Sequence, residues 1–301
     1  MHPTLLRLRL PVLGPFTITT FGLMLALAFL AAWTVMRKRL DELGEDSRLA
    51  GDMVVAALVG GLVGAKLYYL ALHWRLVSSA PGAMLSSRAG LVWYGGFIGG
   101  AAAVIILLRR RGLPILRAAD VIAPALALGY AIGRVGCFLV GDDYGRPTSS
   151  WIGIAFPMGS PPTTAGNLAA GFGAHIPAGT PASAVLKVIP TQPIETVATL
   201  VIFVLLWRWR KKAWEAGRLL AAYLVLSGVE RFVVEVFRAK DDRFLGPFTT
   251  AQAVAAVLVL LGVALWARQL DPGRKARPRV DQGGAAREAR VRGEAAAGAA
   301  S

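Results

Sequence analysis

Cysteine, histidine and charge are all scarce in this chain of 301 residues. The single cysteine, Cys137, excludes an intrachain disulfide, and three scattered histidines form no cluster with the spacing of metal ligands. Charged residues make up 17% of the chain and hydrophobic ones 55%, which argues against an ordinary soluble domain. We expect no metal site.

The charge that is present is mostly basic, with a formal net charge of +15. Many of the basic residues stand directly beside apolar stretches, so their positions are more informative than their sum. No basic surface interleaved with aromatic residues and no nucleic-acid motif is found. We therefore expect no nucleic-acid partner.

Several stretches of about 18 residues or more carry almost no charge, as membrane-spanning helices do. We predict an all-α polytopic membrane protein with about seven transmembrane helices. The approximate bounds of the seven apolar stretches are 16–36, 53–74, 90–108, 118–140, 193–207, 217–236 and 247–267.

The connections between these stretches alternate in charge. Those after the first, third and fifth stretches are densely basic, and the positive-inside rule places them in the cytoplasm. We therefore expect the N-terminus outside and the C-terminus in the cytoplasm. The basic residues concerned are Arg37, Lys38, Arg39 and Arg48, then Arg109, Arg110, Arg111 and Arg117, then Arg208, Arg210, Lys211, Lys212 and Arg218.

The membrane domain is predicted to comprise residues 1–267 and to include one long connection, 141–192, between spans 4 and 5. This connection has few charges and several apolar pieces, so we expect an ordered outer (periplasmic) cap, with a short strand within 151–156. Residues 268–301 are rich in Ala, Gly and Arg and lack apolar periodicity. They are predicted to be a disordered, basic cytoplasmic tail.

The predicted topology brings the unusual polar residues to one depth, in the outer leaflet. Arg134 lies within an apolar, glycine-spaced helix, where a charge is costly unless it faces protein, water or a ligand. Arg231 and Glu235 are four residues apart and share a helix face. The other polar residues at this depth are Tyr94, Gln192, Glu195 and Arg238.

A structural ion pair between Arg231 and Glu235 is one explanation of this pattern. The other is an anionic ligand, because we expect the two guanidiniums from different spans to outnumber the carboxylates beside them. Arginine presents a planar donor fork that matches phosphate oxygens. In an outer leaflet, the phosphate of a phospholipid head group is the obvious candidate.

The stretch Gly133-Arg-Val-Gly-Cys-Phe-Leu-Val-Gly-Asp-Asp-Tyr-Gly-Arg146 resembles the signature of bacterial prolipoprotein diacylglyceryl transferases, which reads Gly-Arg-hydrophobic-Gly-Asn-Phe-hydrophobic-Asn-Gly-Glu-x-x-Gly-Arg. Further motifs of that family match in the same order, over about residues 14–267. They are Phe21-Gly-Leu-Met24, Gly64-Ala-Lys-Leu-Tyr-Tyr69, Tyr94-Gly-Gly-Phe-Ile-Gly-Gly100, Pro190-Thr-Gln-Pro-Ile-Glu195 and Glu230-Arg-Phe-Val-Val-Glu-Val-Phe-Arg238.

The resemblance implies an inner-membrane enzyme of bacteria, without a cofactor, that transfers a diacylglyceryl group from phosphatidylglycerol to the lipobox cysteine of a prolipoprotein signal peptide. A thioether forms and glycerol phosphate leaves. The catalytic residues implied are Arg134, Arg231, Glu235, Tyr94 and Asp142. Substrate contacts are implied for Arg134, Arg231, Arg238, Arg146, Gly145, Gln192, Phe21 and Cys137.

The resemblance is that of a divergent member, because Phe21, Cys137, Val140 and Asp142 stand where the family has Tyr, Asn, Asn and Glu. A second hypothesis is therefore a catalytically altered relative that binds phospholipid or lipoprotein precursors without transfer. A third is a transporter of small anions or lipids. It would need a polar route through the inner halves of the spans, which are uniformly apolar.

Overall fold

The computed structural model describes residues 4–10, 14–79, 81–86, 92–212, 214–239, 243–245 and 248–268. Within them, helices dominate and strands occur only in short antiparallel pairs, β1 with β2, β3 with β4 and β5 with β6. In chain order the elements are β1 (Thr4–Leu10), β2 (Gly14–Thr19), α1 (Thr20–Leu43), α2 (Leu49–Leu72), α3 (Trp74–Ser79), α4 (Pro81–Ser86), α5 (Trp93–Arg110), α6 (Ile115–Val140), β3 (Ile154–Ala155), α7 (Ala165–Phe172), β4 (Lys187–Val188), α8 (Thr191–Trp209), α9 (Arg218–Glu235), β5 (Arg243–Leu245), β6 (Phe248–Thr249) and α10 (Thr250–Arg268).

Each of the seven predicted apolar stretches coincides over most of its length with one long helix: α1, α2, α5, α6, α8, α9 and α10. Among the described helices, α1, α2, α6 and α10 are long and apolar enough to cross a membrane. α9 falls short because Arg218, Glu230, Arg231 and Glu235 interrupt it. The protein is thus mostly helical and membrane-embedded, and the count of seven spans stays a prediction.

The start of the first helix differs from the prediction. Residues 16–19 belong to β2, which pairs with β1, and α1 begins only at Thr20. The hydroxyl of Thr19 accepts a hydrogen bond from the backbone N–H of Gly22 at 3.1 Å and caps the helix. Hydropathy alone cannot detect this boundary, because the strand residues are as apolar as the helix that follows.

Glycines bring α2 and α5 into close contact. A Cβ added to Gly64 would meet the carbonyl oxygen of Gly95 and would lie 2.8 Å from the Cα of Gly99. Gly61, one turn away, leaves 3.5 Å to the carbonyl oxygen of Gly96, an ordinary contact. The glycine spacing of these two segments therefore packs one helix backbone directly against the other.

We expect Gly64→Ala to destabilise the protein by about 1–3 kcal/mol, because the backbones of α2 and α5 would have to separate. Gly61→Ala is the matched control and should be neutral or slightly stabilising, since alanine favours helix and meets no clash. Thermal unfolding in detergent measures both. Equal midpoints for the two variants would contradict the close packing.

The densely basic connections share one end of the helix bundle. Ion pairs link the α1–α2 region to the connections that follow α5 and α8. They are Arg111 with Asp52 (2.7 Å), Arg117 with Glu45 (3.0 Å) and Arg210 with Glu42 (2.9 Å). The predicted alternation of charge therefore corresponds to a real division between the two ends of the bundle.

Asp120, near the start of α6, fixes the start of α9. Its carboxylate accepts hydrogen bonds from the backbone N–H groups of Gly217 at 2.6 Å and Leu220 at 2.8 Å. These are donors that a helix N-terminus leaves without partners inside the helix. The two helices consequently begin together and run in the same direction.

The long connection between α6 and α8 has a core of its own. Tyr144, Phe156, Leu168 and Val188 are buried together, and the hydroxyl of Tyr144 donates to the carbonyl of Pro161 at 3.0 Å. The short strand expected within 151–156 is present as β3. The segment is thus ordered, whereas its role as a cap and its placement at the outer face stay predictions.

The chain divides into two units, residues 1–266 and 267–301. In the second unit, the structure describes only the last two residues of α10. The predicted tail, 268–301, otherwise lies outside the described residues.

Candidate functional site

Charged side chains gather where α6 ends, α8 begins and α9 ends. Arg134, Glu195 and Glu235 are each almost fully buried, although the helices that carry them are apolar. Arg231 is partly open, with 27% of its side chain exposed. The segments that the sequence separates by about a hundred residues thus meet in one charged cluster.

Arg134 is held on all three of its nitrogen atoms. Nε and Nη2 donate to the hydroxyl of Tyr130, at 3.0 and 2.8 Å, and Nε also pairs with Glu195. Nη1 donates to Asp143 Oδ2 at 2.9 Å and approaches the sulfur of Cys137 at 3.8 Å. Tyr130 in turn donates to Glu195 at 2.6 Å. These contacts fix the orientation of the guanidinium.

Arg231 and Arg238 complete the cluster from α9 and the residues that follow it. Arg231 pairs with Glu235 at 2.8 Å, as their four-residue spacing predicted, and lies 3.9 Å from Glu195. Arg238 pairs with Asp143 at 2.7 Å, with Glu235 at 3.5 Å and with Glu195 at 3.7 Å. Glu195 therefore faces all three arginines.

The two neighbouring aspartates have different environments. Asp143 has a left-handed backbone (φ 57°) and forms the ion pairs. Burial would raise its pKa, but the guanidiniums of Arg238 and Arg134 hold the pKa below its ordinary value. The backbone N–H of Asp142 donates to the carbonyl of Cys137 at 3.2 Å, and burial raises the pKa of its carboxyl. The residue that pairs with Arg134 is thus Asp143, whereas the family motif pointed to Asp142.

Gly145, Arg146 and Gln192 hold the backbone around the cluster. A Cβ on Gly145 would lie 2.5 Å from the carbonyl oxygen of Phe237 and 2.9 Å from Ile189, so only glycine fits between the two chain segments. Arg146 is exposed, and its Nε donates to the carbonyl of Arg238 at 3.0 Å. Gln192 is fully buried and donates to the carbonyl of Asp142 at 2.5 Å.

Phe21 and Cys137 lie close to the helix segment that carries Arg134, and Tyr94 lies on α5. The ring of Phe21 lies 3.4 Å from the place of a Cβ on Gly136, which brings it close to the helix of Arg134. Cys137 is buried beside Arg134 and Asp142. Tyr94 lies in the first turn of α5, which packs chiefly against α2, and its side chain is largely exposed.

The structure adds three residues that were not among the predicted site residues: Tyr130, Asp143 and Glu195. Each had a signal in the sequence. Glu195 is a charge near the start of an apolar stretch, and Tyr130 stands four residues before Arg134 on the same helix face. Asp143 directly follows Asp142, which stands at the acidic position of the family motif.

The expectation of too few carboxylates is wrong. Among the described residues of the cluster, the three guanidiniums meet three carboxylates that come from three separate segments. Sequence counting considered only carboxylates near each arginine in the chain. The three ion-paired arginines are therefore balanced by three carboxylates, and Arg231 is the most exposed of these three cations.

Comparison with known proteins gives a consistent picture. The model of a family described as prolipoprotein diacylglyceryl transferase matches residues 9–268. Relatives named phosphatidylglycerol–prolipoprotein diacylglyceryl transferase include that of Clostridium tetani, 29% identical over 85% of this chain and 94% of its own. That of Symbiobacterium thermophilum is 32% identical over 85% of this chain and 90% of its own.

Proposed function

The chain belongs to the prolipoprotein diacylglyceryl transferase family, and from that membership we infer that it transfers a diacylglyceryl group from phosphatidylglycerol to prolipoproteins. The observation that carries this inference into chemistry is the buried arginine cluster at the ends of α6 and α9. Membership and the names of the relatives favour transfer over binding without transfer. The protein is a membrane-bound transferase of lipoprotein biosynthesis.

In the proposed reaction, the thiol sulfur of the lipobox cysteine attacks the glyceryl carbon that carries the phosphate. A carbon–sulfur bond forms, the carbon–oxygen bond breaks, and glycerol phosphate leaves with the bonding electrons. Negative charge grows on the phosphate oxygens as this happens. Arg134 and Arg231 would stabilise that charge, which is the usual role of arginine in phosphate chemistry.

The remaining residues support this step. Glu235 holds Arg231 at 2.8 Å, and the Tyr130–Glu195 pair orients Arg134. A free cysteine has a pKa of about 8.5, so modest activation is enough to form the thiolate. Tyr94 and the donor phosphate itself are the candidates to take the thiol proton.

We place the enzyme in the bacterial inner membrane with seven spans, its N-terminus outside and its C-terminus in the cytoplasm. The shared end of the basic connections supports this orientation. The charged cluster then lies towards the outer leaflet, beneath the cap of residues 141–190. The cap would help to receive the signal peptide.

The decisive experiment expresses this chain in cells depleted of their own transferase and follows labelled lipid into a model prolipoprotein. Labelled thioether-linked lipid should appear on the lipobox cysteine and should be absent from a prolipoprotein with serine at that position. If folded, membrane-inserted protein gives no incorporation, the transferase function is wrong.

Cys137→Asn tests the clearest departure from the family motif. An amide oxygen accepts a hydrogen bond from Arg134 more strongly than the sulfur does at 3.8 Å. A gain of about 1 kcal/mol in holding the guanidinium predicts about a fivefold rise in transfer rate. Cys137→Ala is the control, since it removes the thiol and adds no acceptor. Loss of activity in both variants would instead give the thiol a role of its own.

A further inference from the structure

The carboxylate of Asp143 bridges two arginines in the way that a phosphate does. Oδ2 accepts from Arg134 Nη1 at 2.9 Å and Oδ1 accepts from Arg238 Nη2 at 2.7 Å. Two oxygen atoms on one centre thus satisfy guanidinium groups from two different segments. Phosphate oxygens present the same spacing and the same preference for arginine.

Because the charges of the cluster are already balanced, a phosphate has to compete with a carboxylate for the arginines. Arg134, Arg231 and Arg238 are already matched by Asp143, Glu195 and Glu235. An incoming phosphate would leave the site with an excess negative charge in surroundings of low polarity, which is costly. A phosphate can therefore bind favourably only if one carboxylate gives up its place.

Asp143 is the carboxylate that can leave. Its side chain is 45% exposed, whereas those of Glu195 and Glu235 are 0% and 1% exposed. It lies in the loop after α6, and its backbone is anchored because Thr191 Oγ donates to its carbonyl at 2.8 Å. A rotation of the side chain alone would carry the carboxylate from the arginines into solvent.

We propose that the carboxylate of Asp143 competes with the donor phosphate for Arg134 and Arg238. It binds the two arginines in the free enzyme, moves away when phosphatidylglycerol binds, and returns to expel glycerol phosphate. The inference rests on the proposed function and assigns the position between Arg134 and Arg238 to the phosphate of the donor lipid.

Asp143→Asn and Asp143→Gly test the proposal, because both residues tolerate a left-handed backbone. The apparent KM for phosphatidylglycerol in mixed micelles should fall about tenfold. This change is expected if the state with Asp143 bound to the arginines is about nine times as populated as the open state, because the variants lose that state. The inhibition constant of free glycerol phosphate should fall likewise. We also expect kcat to fall, because the variants lack the carboxylate that displaces the product.

Asp52→Asn is the matched control. Asp52 also pairs with an arginine at 2.7 Å and is 39% exposed, but it lies at the opposite end of the bundle. Its KM and inhibition constant should equal those of the wild type. If Asp143→Asn and Asp143→Gly are folded and their KM values are unchanged or raised, Asp143 is only a structural partner and the proposal is wrong.

The two levels of inference fail differently. A wild-type protein that transfers nothing would contradict the proposed function. Calorimetric titration of glycerol phosphate into the wild type and the two variants would then still test Asp143. Tighter binding of glycerol phosphate by the variants would support competition for Arg134 and Arg238, and equal or weaker binding would overturn the proposal.

Discussion

Replacing Arg134 by alanine should lower the rate of diacylglyceryl transfer by at least about 10²–10³-fold, while the protein still inserts into the membrane. The side chain is the proposed donor to the leaving phosphate, and its orientation depends on Tyr130, Glu195 and Asp143 together. Arg231→Ala should cause a loss of similar size, because Arg231 is the most exposed guanidinium of the cluster. Transfer of labelled lipid to a prolipoprotein, normalised to folded protein, measures both.

Arg134→Lys distinguishes charge from shape. Lysine keeps the positive charge but cannot present a planar fork, so most of the activity should still be lost. Arg111→Ala removes an exposed ion pair at the opposite end of the bundle and should leave transfer unchanged. If Arg134→Ala and Arg231→Ala both retain nearly full activity, these arginines do not stabilise the leaving phosphate.

Glu195→Gln should produce the largest loss of stability, about 3–5 kcal/mol. Glu195 is fully buried, faces three guanidiniums and accepts a hydrogen bond from the hydroxyl of Tyr130. The neutral amide leaves the buried arginines without a central counter-charge, although it preserves the volume of the side chain. Reversible unfolding in a mixed-micelle denaturant titration gives the change in free energy.

Glu45→Gln provides the comparison for that measurement. Glu45 also pairs with an arginine, Arg117, but the two side chains are 28% and 54% exposed and water compensates for the loss. Its cost should be below about 1 kcal/mol. Similar unfolding free energies for the two variants would show that Glu195 does not hold the cluster together.

The arginines of this site could be predicted from the sequence because apolar context makes a charge conspicuous. Arg134 and Arg231 stand out from their helices, and the four-residue spacing to Glu235 correctly predicted an ion pair. The long helices were located for the same reason, since hydropathy reports directly on burial in lipid. The ends of the helices were less accurate, as the shift from residue 16 to Thr20 shows.

The partners of the arginines were harder to predict, because they depend on contacts between segments. Whether Asp142 or Asp143 meets Arg134 is decided by one left-handed residue beyond the end of α6, which hydrophobic periodicity does not report. The central position of Glu195 depends on how α8 rotates against α6. Its apolar neighbours leave both faces of that helix equally plausible as the buried one.

The contact between Asp120 and the start of α9 aligns α6 and α9 at one end, so positions along both helices can be counted from the same point. Asp120 and Arg134 are fourteen residues apart, and so are Gly217 and Arg231, which corresponds to about 21 Å along each helix. One inserted residue in either interval would advance its arginine by about 1.5 Å and turn it by about 100°. The number of residues between this contact and each arginine therefore sets where the arginine lies along its helix. Either interval can change in residue type, but an insertion or deletion would displace the arginine.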